Sequence, residues 1–196
     1  NPLTSIQGYS GFLLKKGSAL SEETRTEFLK IINTASGNIL DLVNDLLNLS
    51  AIESGQLTLN LKVGSLRDLI EERVYLYTHL ASEKQIKLKI NYQDIPAFLF
   101  DAPRIGQVLD NLLTNAIKFS PIGGVIEISA EMDNKCVCVS VIDEGPGIKS
   151  EELEKLFRPF KKLSSRPTGD EQGAGLGLAI AKKMIKLHNG VLKLKP

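Results

Sequence analysis

The chain has 196 residues, 42% hydrophobic and 24% charged, with a formal net charge of +1. This composition supplies enough apolar side chains for a core, and it gives no electrostatic reason to expect nucleic acid or an anionic membrane as a partner. The sequence contains no run of about 18 apolar residues that would predict a membrane span. Cys136 and Cys138 are too close in sequence for an easy disulfide and too few for a zinc site. These cysteines are expected to be inert thiols in a reducing compartment. Because the chain begins at Asn1 without methionine, we expect a fragment, with any membrane anchor upstream.

The first part of the chain is predicted to form two helices. Residues 2–16 have helical periodicity after an Asn1-Pro2 start, and a longer helix is predicted from Ser21 to Glu53. Some thirty residues of helix extend roughly 45 to 50 Å. The shorter helix cannot cover so long an apolar stripe, which favours a homodimeric four-helix bundle built from residues 1–55. The alternative is that both helices dock onto the rest of the same chain.

The pattern changes after Gly55, which marks the start of a second predicted domain, residues 56–196. Alternating or short apolar runs predict strands, and 3.6-residue periodicity predicts helices between them. The predicted strands are 56–63, 86–92, 97–100, 125–131, 136–142 and 191–194, and the predicted helices are 66–82, one opening at Pro103, and 175–188. The predicted fold class is α+β, a helical hairpin followed by a layer of helices on a sheet.

The helix that opens at Pro103 has two contrasting faces. Its apolar stripe comprises Leu109, Leu112, Leu113, Ala116 and Ile117. Opposite this stripe, Asn111, Asn115 and Lys118 align at i, i+4 and i+7. An amide oxygen suits a hard cation such as Mg²⁺, and a lysine point charge suits phosphate. The pattern is typical either of a polar wall facing a ligand or of an ordinary solvated face.

Two glycine-rich turns follow this helix. The first, 143–148, comes directly after a strand, and its Asp143 could accept a hydrogen bond from an exocyclic amine such as that of adenine. The second, 173–178, opens a helix whose freed amides would suit phosphate. Between them, residues 163–172 have the composition of a mobile lid. The basic residues Lys161 and Lys162 just before it and Arg166 within it could reach phosphates when the lid closes. The alternatives are an ordinary strand-to-helix turn and a solvated charged loop.

Four motifs occur together in this order: Asn-x-x-x-Asn-Ala-x-Lys-Phe (111–119), Asp-x-Gly-x-Gly-Ile (143–148), Phe-x-Pro-Phe (157–160) and Gly-x-Gly-Leu-Gly-Leu (173–178). They closely resemble the ATP-binding domain of sensor histidine kinases, within the superfamily that includes gyrase B and mismatch-repair ATPases. Residues 46–55 and 1–14 resemble parts of that family's dimerisation hairpin. The resemblance implies an α/β sandwich of a mixed sheet with three helices on one face. It also implies ATP and Mg²⁺ as cofactors, a homodimer, and a response-regulator receiver domain as partner. By the same resemblance we expect a cytoplasmic location, with a membrane anchor or sensor domain upstream.

The resemblance also implies roles for individual residues. Asn115 would be the Mg²⁺ ligand, Asn111 and Lys118 would act near the phosphates as catalytic residues, and Asp143 would receive the adenine amine. Phe119 would line the adenine pocket, and Phe157 and Phe160 would anchor the lid. The implied cofactor-binding set is Asn111, Asn115, Lys118, Phe119, Asp143, Gly145, Gly147, Ile148, Phe160, Lys162, Gly173, Gly175, Leu176 and Gly177.

The chain departs from the family pattern in its histidines. By resemblance the phosphoacceptor lies four residues before the position that Asn1 matches, outside this chain, and neither His79 nor His188 replaces it. We therefore expect the fragment to bind ATP without phosphorylating itself by the usual route. Lys162 stands where many relatives have arginine. One alternative is a nucleotide-binding dimerisation module without phosphotransfer. A gyrase-like ATPase ranks last, because such relatives place a glutamate base where this chain has Asn111.

Overall fold

The structure is a computed structural model that describes residues 1–134, 136–161, 164, 167–168 and 174–194. The chain divides into two compact units, Asn1–Ser54 and Gly55–Pro196. The first unit is wholly helical, whereas the second combines helices and strands. This organisation confirms the predicted α+β fold class.

The first unit is a hairpin of two helices, α1 (Pro2–Lys16) and α2 (Glu22–Glu53), joined through a short 3₁₀ turn. Both helices begin at a side-chain cap: the Asn1 side chain accepts from the Leu3 N–H, and the Ser21 hydroxyl accepts from the Thr24 N–H. The ring of Phe28 packs between the helices, with centroids 4.8 Å from Tyr9 and 6.3 Å from Phe12. These contacts hold the two helices side by side.

The described residues of the second unit form five strands and three α-helices. Their bounds are β1 Lys62–Gly64, α3 Leu66–Glu83, β2 Lys87–Tyr92, β3 Phe98–Phe100, α4 Ala102–Phe119, β4 Val125–Asp133, β5 Cys136–Ile142 and α5 Gly177–Leu187. Strands β2, β4 and β5 form a mixed sheet, in which β2 runs parallel to β4 and β4 runs antiparallel to β5. Strands β1 and β3 form a separate two-stranded antiparallel ladder.

The core lies between the mixed sheet and helices α3 and α4. Alternate residues Ile126, Ile128 and Ala130 of β4 are buried together with Ile70 of α3 and Leu113 of α4. This alternation shows that one face of the sheet receives the helices. Helix α4 also packs against α5, whose buried residues are Ala179, Ile180, Ala181 and Met184. Helix α4 is therefore central, with α3 on one side and α5 on the other.

Two predicted strands differ from the structure. The prediction for residues 56–63 is wrong except at its end, because only Lys62–Gly64 pairs with a neighbour, the three-residue β3. Leu57 and Leu59 are still half-buried in alternation, so the side-chain pattern is present without a ladder. Residues 191–194 belong to no strand in the described part of the chain. Alternating apolar residues show that one face of the segment is buried. A β-strand also needs a neighbouring strand to which its backbone can hydrogen-bond.

The start of α4 is fixed by a buried carboxylate. Asp101 caps the helix by accepting from the Arg104 N–H, and it also accepts from the Asn60 N–H at 2.8 Å. The Asp101 N–H in turn donates to Nε2 of His188 at 3.2 Å. The other ring nitrogen, Nδ1, must then carry the proton that it donates to the Met184 carbonyl, 2.8 Å away. His188 therefore joins the end of α5 to the start of α4.

Candidate functional site

Helix α4 presents the two faces that its sequence predicts. Leu109, Leu113 and Ile117 are at most 3% exposed. Asn111 and Asn115, on the other side of the helix, are half-buried. Helix α4 therefore has a buried apolar stripe on one side and a partly exposed polar face, called the polar wall below, on the other.

The side chain of Asn115 has a defined orientation. Its amide nitrogen Nδ2 donates to the backbone carbonyl of Asn111 at 2.7 Å. Because a carbonyl can only accept, the nitrogen must face the helix backbone, and Oδ1 is the end of the amide that remains as an acceptor. The helix itself thus sets an amide oxygen in place on the polar wall.

The side chain of Asn111 meets the first residue of α5. A Cβ added to Gly177 would lie 2.5 Å from Asn111 Oδ1 and 3.0 Å from its Cγ, so only glycine fits there without movement. The Nδ2 atom of Asn111 is buried and has no hydrogen-bond partner among the described residues. An unpaired buried donor next to a helix N-terminus is suited to an acceptor supplied by a ligand.

The first glycine turn folds back onto the end of α4. The N–H of Gly145 donates to Asp143 Oδ1 at 2.8 Å, which holds the carboxylate inside the turn. A Cβ on Gly145 would lie 2.5 Å from that oxygen and 3.1 Å from the Phe119 carbonyl. Gly147 has φ +68°, a left-handed conformation that favours glycine, and Ile148 beside it is half-buried. The turn thus brings Asp143 close to Phe119.

The ends of the segment between the two glycine turns lie against each other. The N–H of Phe160 donates to the Gly175 carbonyl at 3.0 Å, and a Cβ on Gly175 would lie 2.9 Å from the Lys161 carbonyl. Gly175 has φ +73°, and this left-handed residue explains why α5 begins at Gly177 and not at 175. Nζ of Lys182 lies 4.4 Å from the ring centroid of Phe157. Phe160 itself is 59% exposed.

Residues 163–172, called the lid segment below, are described at Ser164, Pro167 and Thr168. Ser164 donates from its backbone N–H and its hydroxyl to the two carboxylate oxygens of Glu152, at 2.8 and 2.7 Å. These hydrogen bonds lower the pKa of Glu152. Thr168 contacts the C-terminal end of α4 through Lys118 and Ser120. The sequence analysis missed Glu152 and Thr168, since no local pattern distinguishes them from other polar residues.

Among the predicted site residues, the structure brings together Asn111 with Gly177, Phe119 with the Asp143 turn, and Phe160 with Gly175. Leu176, between the last two glycines, is fully buried and anchors the second turn. Nζ of Lys118 lies 5.6 Å from the ring centroid of Phe119. Lys162, Arg166 and Gly173 lie outside the described residues.

An ionic contact links α4 to α3 at Asp110, the residue before Asn111. Arg73 lies 3.4 Å from Asp110, whose side chain is partly buried. Burial raises the pKa of Asp110, and the nearby Arg73 guanidinium partly offsets this effect. Neither residue was predicted to have a role.

Two family descriptions match the chain. Residues 1–55 match "His Kinase A (phospho-acceptor) domain", and residues 100–196 match "Histidine kinase-, DNA gyrase B-, and HSP90-like ATPase". The Non-motile and phage-resistance protein of Caulobacter vibrioides is 35% identical over 98% of this chain and 24% of its own length. The circadian input-output histidine kinase CikA of Synechococcus elongatus is 32% identical over 99% of this chain and 26% of its own length.

Solved structures agree with these matches. Acinetobacter baumannii histidine kinase AdeS has a TM-score of 0.74 and 27% identity, over 95% of this chain and 84% of its own. Histidine kinase ThkA in complex with response regulator protein TrrA has a TM-score of 0.70 and 28% identity, over 97% of this chain and 52% of its own.

The two glycine turns and the polar helix thus belong to an ATP-binding domain joined to a phosphoacceptor-type hairpin. The chain is a member of the sensor histidine kinase family and represents its catalytic core. It spans about a quarter of the length of the curated relatives it matches. Within the described residues, no helix is both long enough and apolar enough to cross a membrane.

Proposed function

We propose that this chain binds Mg·ATP in its second unit and transfers the γ-phosphoryl group to a histidine of the dimerisation bundle, and from there to an aspartate of a response regulator. The observation that carries the proposal is the meeting of Asn111 with Gly177, because it places an unpaired amide donor at the N-terminus of α5. The receiver partner is supported by the ThkA complex with a response regulator. Use of ATP would place this activity in the cytoplasm.

Asn115 is the proposed Mg²⁺ ligand. Its Oδ1 is left as an acceptor by the 2.7 Å bond from Nδ2 to the Asn111 carbonyl. Magnesium needs few protein ligands in nucleotide sites, because phosphate oxygens and water complete its octahedron. This agrees with the described residues, which contain no group of three or more His, Cys, Asp or Glu side chains able to hold a metal ion. The ion would neutralise charge on the transferring phosphoryl group.

Asp143 is the proposed acceptor of the adenine amine. Gly145 already donates to its Oδ1, which fixes the carboxylate, and Phe119 lies against the same turn. Gly147 and Ile148 would complete the adenine side of the site. A fixed carboxylate beside an aromatic ring can select an adenine by hydrogen bonding to its exocyclic amine and by packing against the base.

The phosphates would lie between the two helices, near Lys118 and the start of α5. Gly175, Leu176 and Gly177 would bring backbone amides close to them, because α5 begins without a side-chain cap. Phe160, Lys162 and Gly173 are the further members of this proposed set. Positioning and charge neutralisation, with Asn111 and Lys118 nearest the reacting phosphate, would supply most of the catalysis.

The hairpin is the proposed homodimer interface. Large apolar side chains of α1 and α2 are exposed, namely Leu3, Phe12, Leu14, Leu29, Leu40, Leu42, Val43, Leu46 and Leu47. So many exposed apolar residues on two helices are typical of half of a four-helix bundle. In sedimentation experiments residues 1–55 should form a dimer and residues 56–196 should not; a monomeric hairpin would contradict this interface.

The metal assignment is tested by nucleotide affinity. Asn115→Ala should lose most of the Mg²⁺-dependent part of ATP affinity in calorimetry at fixed Mg²⁺, whereas Asn115→Asp retains an oxygen ligand. Affinity in EDTA serves as the reference for both variants. Equal Mg²⁺ dependence in Asn115→Ala and the unsubstituted chain would remove Asn115 as the ligand.

The transfer itself is tested with γ-labelled ATP and Mg²⁺. We expect acid-labile label in a chain extended upstream of Asn1, and none on His79 or His188. Both nitrogens of His188 are already hydrogen-bonded, to Asp101 and Met184, which argues against it as an acceptor. ATP binding without label in the extended chain would instead favour a nucleotide-binding module that does not transfer phosphate.

A further inference from the structure

Lys84, which caps the C-terminal end of α3, extends its side chain to the C-terminal end of α4. Its Nζ lies 3.2 Å from the Ile117 carbonyl, 3.4 Å from the Lys118 carbonyl and 3.2 Å from the Thr168 hydroxyl. An ammonium group has three donors, and these acceptors can use all of them. One side chain thus joins α3, α4 and the lid segment.

The position of Lys84 suits its charge. Carbonyl groups in the last turn of a helix lack intrahelical partners, and the helix dipole places partial negative charge there. The backbone of Lys84 is also fixed, because its carbonyl accepts from the Gly123 N–H at 3.0 Å. Hydrogen bonds of its backbone and of its side chain therefore hold the half-buried Lys84 ammonium group at the C-terminal end of α4.

Thr168 binds the same end of α4 through two groups. Its backbone N–H donates to the Lys118 carbonyl at 3.1 Å. Its hydroxyl oxygen lies 3.0 Å from that carbonyl and 2.9 Å from the Ser120 carbonyl, so its single proton can be donated to either one. The hydroxyl lone pairs remain available to accept from Lys84. The Lys118 carbonyl is shared by Lys84 and Thr168.

We propose that Lys84 and Thr168 form a latch that fastens the lid segment to the C-terminal end of α4 and thereby slows nucleotide release. The inference rests on the proposed nucleotide site, because Lys118 and Phe119 belong both to the latched end of α4 and to that site. Lys84 and Thr168 touch no proposed reacting atom, so they are positioning residues. A lid segment fastened at this point is attached directly beside Lys118, proposed to lie near the phosphates, and Phe119, proposed to line the adenine pocket.

Two pairs of substitutions test the latch in the full chain. Thr168→Val removes the hydroxyl at nearly constant shape and keeps the backbone N–H, while Thr168→Ser keeps the hydroxyl. Lys84→Met removes the charge, Lys84→Arg keeps it, and Lys89→Met is the control at an exposed lysine of β2. Loss of a hydrogen bond to a charged group corresponds to about a 10- to 100-fold change in an equilibrium constant, and we expect the lower end of this range because the contact between Lys84 and Thr168 is exposed.

The first measurement is the dissociation rate of a fluorescent ATP analogue. Thr168→Val and Lys84→Met should each release it about 10-fold faster. The double variant should be faster than either one but by less than the product of the two effects, because the contact between Lys84 and Thr168 is lost in both. Thr168→Ser, Lys84→Arg and Lys89→Met should stay near the unsubstituted rate. Independent, additive effects of the two substitutions would overturn the latch.

The second measurement needs no nucleotide. Trypsin cleavage after Lys161 and Lys162, followed by mass spectrometry, should be about 10-fold faster in Thr168→Val and Lys84→Met, since cleavage follows the population of the open segment. Unchanged cleavage in Thr168→Val, or equal effects of Val and Ser at this position, would overturn the proposal. If Lys84→Met fails to fold, the Thr168 pair decides the test alone.

The two measurements separate the latch from the proposed function. If the unsubstituted chain binds no nucleotide but cleavage responds as expected, the nucleotide site is wrong and the latch stands as a lid contact. If the chain binds nucleotide while neither release nor cleavage changes in Thr168→Val, the latch is wrong and the nucleotide site stands.

Discussion

Replacing Gly177 by alanine should damage the proposed nucleotide site much more than the fold. The added Cβ would lie 2.5 Å from Asn111 Oδ1, which is shorter than real Cβ contacts, and 3.0 Å from its Cγ, which is tighter than most of them. Gly177 is the first residue of α5, and its φ is not in the left-handed region, so the backbone itself accepts alanine. The Asn111 side chain must therefore rotate away from α5. The polar wall then no longer places an amide group at the N-terminus of α5.

The net effect on stability follows from two opposing contributions. Alanine gains at most about 1 kcal/mol over glycine in a helix. Overpacking costs about 1–3 kcal/mol. The variant should therefore lose roughly 0–3 kcal/mol in its free energy of unfolding. Each kcal/mol corresponds to about 2–4 °C in Tm for a domain of this size. Nucleotide affinity should fall about 10- to 100-fold, the equivalent of one hydrogen bond to a charged group.

A double-mutant cycle identifies the clash. Asn111→Ala removes both atoms that the new Cβ would meet, and the Asn111 Cβ lies at an ordinary contact distance of 3.7 Å. In that background Gly177→Ala should be neutral or stabilising by up to about 1 kcal/mol. Gly106→Ala in α4 is the matched control, because its nearest contacts are at 3.6 Å.

Thermal unfolding and calorimetric nucleotide titration measure the two effects separately. The reasoning would be refuted if Gly177→Ala destabilised the Asn111→Ala background as much as the original chain, because the clash would then involve another residue. A full loss of folding would also contradict the estimate. Unchanged nucleotide affinity in a folded Gly177→Ala variant would remove Asn111 from the proposed site.

Two further predictions concern carboxylates. Asp101→Ala should cost about 2–3 kcal/mol in denaturant unfolding, because it removes the α4 cap and leaves the N–H of Asn60 without its acceptor, while Asp101→Asn should recover part of this loss. The lowered pKa of Glu152 means that its contact with Ser164 is fully present above the usual glutamate pKa and is lost as pH falls through the lowered value. The protection of the Ser164 amide, measured as its hydrogen-exchange rate relative to the intrinsic rate at each pH, should decrease over that acidic window, and Glu152→Gln should abolish this pH dependence. A protection that does not change with pH in the unsubstituted chain would refute the prediction.

Features that depend on neighbours along the chain could be predicted from the amino-acid sequence. The 3.6-residue spacing of Leu109, Leu113 and Ile117 predicted both the helix and its buried face, which the structure confirms. The motif order also identified the family. Such patterns are readable because periodicity fixes which side of an element is apolar. Where burial alternated without a partner strand, as at 56–61, the same reasoning predicted too long a strand.

Contacts between residues that are distant in the sequence could be recognised only after the helices and strands were seen packed together. The sequence nominated Asn111 and Gly177 separately, but their contact depends on how α5 packs against α4. Lys84 and Thr168 carry no local signal at all, since a lysine after a helix and a threonine in a polar segment are common. They meet at the last turn of α4 because the fold brings together segments that are far apart in the sequence. No local sequence pattern predicts such a contact.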